Sequence, residues 1–547
     1  MNDKRKLKLK KFYFHPITTF LILSILVIVL SGVFSLFEMQ ATYNSVNVNA
    51  KDLEPTLITV ENLFSLSGLR FIISNAVKNF LSFGPMGMLL VSVIALSLAE
   101  STGFIETVTK RYLSKIPRQV FTFIVLFVAS ASSIVNEVGY ALLIPLVAVI
   151  YFINKRNPLL GIATAFCGVS FGYGVSLFVG TQEMMLMEYT KNAAILINET
   201  THIALSSNLI FSIAATIVLS IVGTIIIENI IAPRIGKYKK EEEFANTEQY
   251  SPISIEEEEQ KQIEKEKREK KGIRTALIVG IIYSILVIYA LIPGLPGSGM
   301  MLDMSEKIYS QQLFGPKSYF QNGFSYLVAL FFIVTGFAYA FGAKSIKNDK
   351  DLIDKMSSKI SKIAPIFILM FVVSQFVAIY KKTNIGIVIS TWLVSILEYI
   401  EMNGIILIIF SLIIIAISGL LLTSVSSKWA LFSPVVVPIF MQSNISPEFA
   451  QIVMRAADSM TKGFTPLLAS FVIYIGYLNL YNLNKEKPIT IRKSLKMITP
   501  YFLLIAAVWI VLVVGWYIVG LPIGPGVYLT ISHHMVFFCC YIKKKKI

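Results

Sequence analysis

The sequence predicts an all-α polytopic membrane protein built as an inverted-topology repeat, and three observations predict it. Of 547 residues, 55% are hydrophobic and only 15% are charged, against about 25% charged in a soluble domain. Apolar runs long enough to cross a bilayer recur along the whole chain. Two segments with polar centres repeat one order of features, yet their flanking loops differ in basic content. The net charge of +16 lies mainly in short loops beside apolar runs. That pattern orients a membrane protein and argues against nucleic-acid binding.

Taken in order, the basic segment Lys4–Lys11 precedes a first span, Ile17–Leu36, and fixes a cytoplasmic N-terminus. No small-x-small cleavage site ends this run, so it is expected to be retained as an anchor. The external segment that follows carries the amphipathic stretch LRFIISNAVKNFL, suited to a membrane surface. A span over about 81–104 returns to the basic residues Lys110–Arg118.

Residues 119–154 have basic loops at both ends and the polar centre SASSIVNEVGY. Two full crossings need roughly 20 residues each plus a turn, so this segment is expected to be a re-entrant hairpin entering from the cytoplasm. Non-helical backbone at that depth must be buried in protein or line a cavity. A helix over about 159–180 follows, broken by GVSFGYGVS. Another span covers about 209–231. These parts make a first half, residues 1–233.

Residues 234–274 form a charged cytoplasmic linker with acid–base pairs at i,i+4 spacing. Residues 275–526 form the second half. Its spans are expected over 276–292, 326–341, 363–380 and 501–519, and the run after Asn384 has no clear place. A second hairpin over about 405–441 has the polar tip TSVSSKW and flanks without Lys or Arg, so it enters from the opposite face. A second broken helix spans about 449–483. Residues 527–547 form a C-terminal tail whose Cys539, Cys540, His533 and His534 suggest acylation or metal binding; a dispensable extension is the plainer expectation.

The chemistry concentrates at the tips and breaks. Arg455, Asp458 and Lys462 are spaced i, i+3, i+7 and share one helix face. Asp458 can be neutralised by either cation, leaving about one positive charge for an anion; the alternative is a structural ion pair between helices. Ionised groups at membrane depth are rare and usually face a cavity. The second tip adds Ser424, Ser426, Ser427 and Lys428, with Trp429 as an aromatic platform or an interfacial anchor. The first tip offers Ser132, Ser133, Asn136 and Glu137, a hard-cation donor set. Glu183 is a second candidate carboxylate; Glu100 and Glu228 sit near span ends, where solvation is expected, and Cys167 is expected to pack. HExxH, GxSxG and Walker patterns are absent from the sequence, as is any metal-ligand spacing of Cys or His. A membrane enzyme is therefore not expected. A channel would need a continuous polar stripe along several helices.

These residues match a family. From Phe71 to Tyr528 the chain resembles the p-aminobenzoyl-glutamate (AbgT) transporter family, through AVKNF with GPMG, NEVGYALLIPL, TNIG, SVSSKWAL, RAADS…TP and GLPIGPG. The resemblance implies a bowl-shaped homodimer with about nine transmembrane helices and two hairpins in a bacterial cytoplasmic membrane. It implies ion-coupled transport, by an elevator-like mechanism, of p-aminobenzoyl-glutamate, related aromatic carboxylates or sulfonamide-type antimetabolites. No cofactor is expected beyond a coupling sodium ion or proton. By motif position, Asn384 and Asp458 look like cation-site residues, and Trp429, Arg455 and Pro466 like substrate-pathway residues. The departures fall at polar positions: SSIVNEVGY carries its Asn at Asn136, FGYGVS ends in Ser176, and DSMTK places Lys462 where a neutral cation ligand is expected. A lysine there brings sodium at Asn384 and Asp458 into question. It leaves open a different organic anion, di- or tricarboxylate-like, carried without sodium.

Overall fold

Helix boundaries follow the punctuation of the sequence. In the computed structural model, which describes residues 14–47, 52–132, 137–238, 255–399 and 402–531, α1 (Pro16–Leu36) starts at Pro16 with His15 as its cap. An antiparallel ribbon follows, β1 (Gln40–Asn47) paired with β2 (Asp52–Thr59). This ribbon corrects the all-α expectation: Thr42, Tyr43 and Val46 on β1 with Thr56, Leu57 and Ile58 on β2 suit a half-covered strand pair, and it packs on a helix of the second half through Trp392 and Asn384. Ser65 caps α2 (Leu66–Leu81), which exposes Leu66, Leu69, Ile73, Val77 and Leu81 on one stripe. Next come α3 (Gly84–Ser101) and the short amphipathic α4 (Phe104–Arg111).

The first polar-centred segment forms α5 (Arg118–Ala131) and α6 (Val138–Ile153). At 14 and 16 residues these helices measure about 21 and 24 Å, short of the roughly 30 Å hydrocarbon core. Both pack on α7 (Pro158–Phe171). The backbone leaves the helix at Gly172, as the glycine-rich stretch predicts, and resumes as α8 (Thr181–Ile195). Then α9 (Leu209–Ile226) runs through a π turn, Ile227–Ile231, into α10 (Ala232–Ile235).

The linker and the next span are one helix, α11 (Ile255–Ala290). The expected boundary near residue 275 therefore has no break, because EKEKREKKGIRTALIV contains no capping or breaking signal strong enough to stop a helix. Arg268 and Glu264 make the anticipated i,i+4 pair at 2.8 Å. After α12 (Tyr309–Phe314), α13 (Tyr319–Ala343) packs on α11 and α3. An amphipathic α14 (Asp349–Ser361) leads to α15 (Ala364–Lys382). The unplaced run becomes α16 (Ile385–Tyr399), between the ribbon and the second hairpin.

That second segment mirrors the first in element order: α17 (Gly404–Gly419), a polar tip, then α18 (Val425–Gln442) with Pro434 and Pro438 inside it. It is followed by α19 (Pro447–Thr461), a 3-10 turn Lys462–Phe464, a break, and α20 (Phe471–Leu480). The last helix is α21 (Ile491–Val519). The expected tail groups His533, His534, Cys539 and Cys540, and the basic N-terminal segment, lie outside the described residues. Among the described residues, seven helical stretches are long and apolar enough to cross a membrane, so the chain is a multi-pass membrane protein.

The two halves meet at their breaks. Phe166 of α7 stacks on Tyr474 of α20 with ring centroids 4.1 Å apart. Gly174, in the first break, lies directly on α19, donating its N–H to Ser459 Oγ at 2.6 Å. A Cβ at position 174 would sit 2.3 Å from that oxygen and 2.4 Å from the Arg455 carbonyl. Overpacking of this kind costs about 1–3 kcal/mol. Gly174→Ala is therefore expected to lower the melting temperature of the detergent-purified protein by several degrees. Gly323→Ala, with nothing within 4 Å of the new Cβ, should leave it unchanged or raise it slightly; equal melting of the two variants would contradict this packing.

Candidate substrate and ion site

Every residue of α19 is buried, so the charged face predicted on it meets protein and not lipid. Arg455 is 3% exposed, Asp458 1% and Lys462 1%. Ions taken that far from water need partners, because the desolvation penalty is several kcal/mol per ion.

Their partners differ from the expected ones. Arg455 does not neutralise Asp458. It reaches into the first half, where Nε donates to the Gly174 carbonyl at 2.7 Å and Nη2 to Glu183 Oε1 at 2.6 Å. The broken helix supplies this acceptor pair, and a planar guanidinium fork suits it better than a carboxylate three residues along its own helix. The other oxygen of Glu183 accepts the Gly180 N–H at 2.8 Å, which caps α8. Asp458 instead receives Lys428 from the second tip: Nζ donates to Oδ1 at 2.5 Å. Lys462 Nζ is 3.8 Å from Oδ2. It also donates to the Thr423 carbonyl at 3.3 Å and lies 3.6 Å from the centre of the Tyr173 ring. Thr461 and Thr465 bond the carbonyls of Ala416 and Leu420, fixing the second tip to the second break.

Trp429 is 0% exposed and corrects the stacking-platform expectation. Its Nε1 donates to Thr190 Oγ1 at 2.8 Å, and Thr190 in turn donates to Gln451 at 3.1 Å, so the indole ties α18 to α8 and α19. Ser424 caps α18, with Ser426 and Ser427 bonded or close to its hydroxyl. Ser132 turns back to the Ala129 carbonyl of its own helix. Ser133 and Asn136 lie outside the described residues. Glu137 accepts a hydrogen bond from Ser470 in the second break. Ser176 closes on its own loop at Phe178 and borders, with Glu183 and Arg455, a crevice of about 10 Å³, no more than one water. Pro466 is partly buried within the second break. Glu228, expected in solvent, is partly buried on the π turn and paired with Arg156 at 2.7 Å; Glu100 pairs with Lys359.

The sodium site expected at Asn384 and Asp458 does not fit the residues present. Asn384 donates through its side-chain nitrogen to the Thr59 carbonyl of the ribbon, at 3.2 Å, so the misfit lies at the carboxylate and not at this residue. Asp458 faces two ammonium groups, which occupy the place of a cation's charge.

What the tips and breaks do border is a half-open cavity of about 260 Å³. Glu137 comes from the first tip, Tyr173 from the first break, Thr423–Ser426 from the second tip, Lys462 and Leu468 from the second break, and Lys381 from the end of α15. The first turns of α8 complete it with Thr181 and Gln182, which the sequence reasoning missed. Their only signal was two polar residues opening a helix after a break. A wider cavity of about 700 Å³ shares Glu137, Lys381 and Ala469 with the first, so these residues stand between the two. Among the described residues, the charged lining of the inner cavity is two lysines and one glutamate, an excess of one positive charge.

Removing one member of a buried pair strands the other, at a cost of about 3–5 kcal/mol. Lys428→Met is expected to destabilise the purified protein severely. Lys428→Met with Asp458→Asn should recover much of the loss in a thermal-melt double-mutant cycle; strictly additive losses would show that the two side chains do not interact.

Residues 10–531 match the model of the AbgT putative transporter family. The p-aminobenzoyl-glutamate transport protein of Escherichia coli (strain K12) is 28% identical over 518 residues, covering 95% of each chain. Two solved structures also match. The Alcanivorax borkumensis YdaH transporter is 25% identical, with 94% of this chain and 100% of that one covered and a TM-score of 0.46. Neisseria gonorrhoeae MtrF, described as representing a class of antimetabolite efflux pumps, is 29% identical, with 94% and 98% covered and a TM-score of 0.46. On the extent of the family match, the chain belongs to the AbgT family of transporters.

Proposed function

We propose that this protein is a secondary transporter of p-aminobenzoyl-glutamate or related aromatic carboxylates, sulfonamide-type antimetabolites included, in a bacterial cytoplasmic membrane with its N-terminus inside. The observation that carries the proposal is the inner cavity, where two hairpin tips and two helix breaks surround a net positive lining. Inverted-repeat transporters place substrate at such a junction, near the bilayer midplane. Substrate type comes from the Escherichia coli relative's name together with that positive charge. Seven long spans and the two broken helices, α7–α8 and α19–α20, make nine crossings, with α5–α6 and α17–α18 as opposed re-entrant hairpins. A homodimer and an elevator-like motion belong to the same proposal.

In this reading the protein works without sodium. Lys462, held near Asp458 and over Tyr173, supplies permanently the charge that a bound cation would bring and remove. A proton exchanged within the Asp458, Lys428 and Lys462 group is the coupling that remains. One observation favours a second reading, a less aromatic di- or tricarboxylate: Trp429 is fully buried, and Tyr173, among the described residues the one aromatic side chain lining the inner cavity, already lies under Lys462.

Counterflow of radiolabelled p-aminobenzoyl-glutamate into proteoliposomes tests both. Saturable exchange is expected, changing less than about twofold when choline replaces sodium. A strict sodium requirement removes the Lys462 argument. Exchange of citrate or succinate with none of the aromatic compound selects the second reading.

A further inference from the structure

We propose that the first turn of α8, through Thr181 and Gln182, is the carboxylate seat of the transported anion; this rests on the anion-transport reading above. Both side chains line the inner cavity and are almost wholly buried, at 4% and 6% exposure. Among the described residues Thr181 Oγ1 nevertheless has no hydrogen-bond partner, and the Gln182 side chain meets the Tyr173 side chain on the same wall. Buried polar atoms are nearly always paired, so an orphaned hydroxyl at this spot calls for a group that is delivered there.

The helix supplies the rest. The first N–H groups of a helix have no partner within it, and they carry the positive end of its dipole. The 15-residue α8 begins at Thr181. One feature of this terminus opposes an anion, the Glu183 carboxylate in its first turn. The structure cancels it twice: one oxygen is engaged by Arg455 and the other by the Gly180 N–H. Arg455 thus acts as a positioning residue. By neutralising Glu183 it leaves the helix end positive toward the cavity, although its own guanidinium points at the first break and not at ligand.

The lining then has two chemically different sides. Gln182 Nε2, the Thr181 hydroxyl and Lys462 offer donors to a carboxylate. Glu137, with one oxygen bonded by Ser470, offers an acceptor to an amine or amide N–H. A ligand with a carboxylate at one end and an N–H donor at the other satisfies both.

The test is equilibrium binding of p-aminobenzoyl-glutamate to the full-length protein in lipid nanodiscs. Hydrogen bonds to charged groups are worth more than neutral ones. Thr181→Val and Gln182→Leu are each expected to weaken binding about tenfold, with melting temperatures near that of the unaltered protein. Gln182→Glu should weaken it further and Gln182→Lys less than Gln182→Leu, because the sign of the introduced charge matters to an anion. Binding unchanged in all four variants, or equal losses for Gln182→Glu and Gln182→Lys, would overturn the seat while leaving anion transport standing. No saturable binding by the unaltered protein would overturn both.

Discussion

Everything at the centre of this molecule depends on neutralising the ions of α19 away from water. Arg455 and Asp458 lie on one helix three residues apart, yet each is paired with a different part of the fold. Arg455 holds the first break through Glu183 and Gly174, and Asp458 holds the second tip through Lys428. Breaking either contact strands a charge in a low-dielectric interior, at a cost of about 3–5 kcal/mol. The helix therefore fixes where the elements of the two halves stand relative to one another. The cavity is the space left where they do not touch.

A second, partly buried pair acts at the far end of the first hairpin. Arg156, just after α6, pairs with Glu228 on the π turn and lies 4.4 Å from the centre of the Tyr151 ring. Thr122 of α5 also donates to Glu228. Both arms of that hairpin are thus held to the end of α9, while its tip reaches the second break through Glu137 and Ser470. Around this core, α11 and α13 expose broad apolar faces, as elements solvated by lipid do. For a carrier, the physical consequence is that α19, the first break and the second tip behave as one body. Motion that opens the cavity has to occur at contacts less costly than these, such as the boundary between the two cavities at Glu137, Lys381 and Ala469.

The parts of the fold legible in the sequence were those written in composition along the chain. Hydrophobic runs gave the spans, and glycine clusters gave the breaks at Gly172 and after Thr461. The polar tip expected within 405–441 does separate two short helices, α17 and α18, over 404–442. The ribbon was hidden because eight-residue strands of mixed Thr, Asn and Val look like an external loop. Pairing was the least legible. Helical spacing places Arg455 near Asp458, but it contains no information on the carboxylate that the first break brings from 272 positions away. Lys428 was visible as a charge in a tip; only the packing of α18 on α19 turns it into the partner of Asp458.

Lys462 shows how one such residue changes the physics of the whole site. A bound cation is exchangeable: it enters, neutralises a carboxylate, and leaves when the surrounding geometry changes. An ammonium on a covalent stem cannot leave. It screens Asp458 in every state in which the two remain close, and here it has the Thr423 carbonyl and the face of Tyr173 to hold it in place. On the sodium-free reading proposed above, energy from a sodium gradient then has no ligand set to act on at this carboxylate, and coupling comes through protonation within the cluster or through the charge of the substrate itself. With one glutamate and two lysines on the cavity wall, an arriving carboxylate reduces the excess positive charge there. Occupancy by an anion lowers the electrostatic cost of closing the cavity, and an empty cavity retains it. On the proposed anion-transport reading, a permanent lysine in this way makes the substrate the ion that permits the change of state.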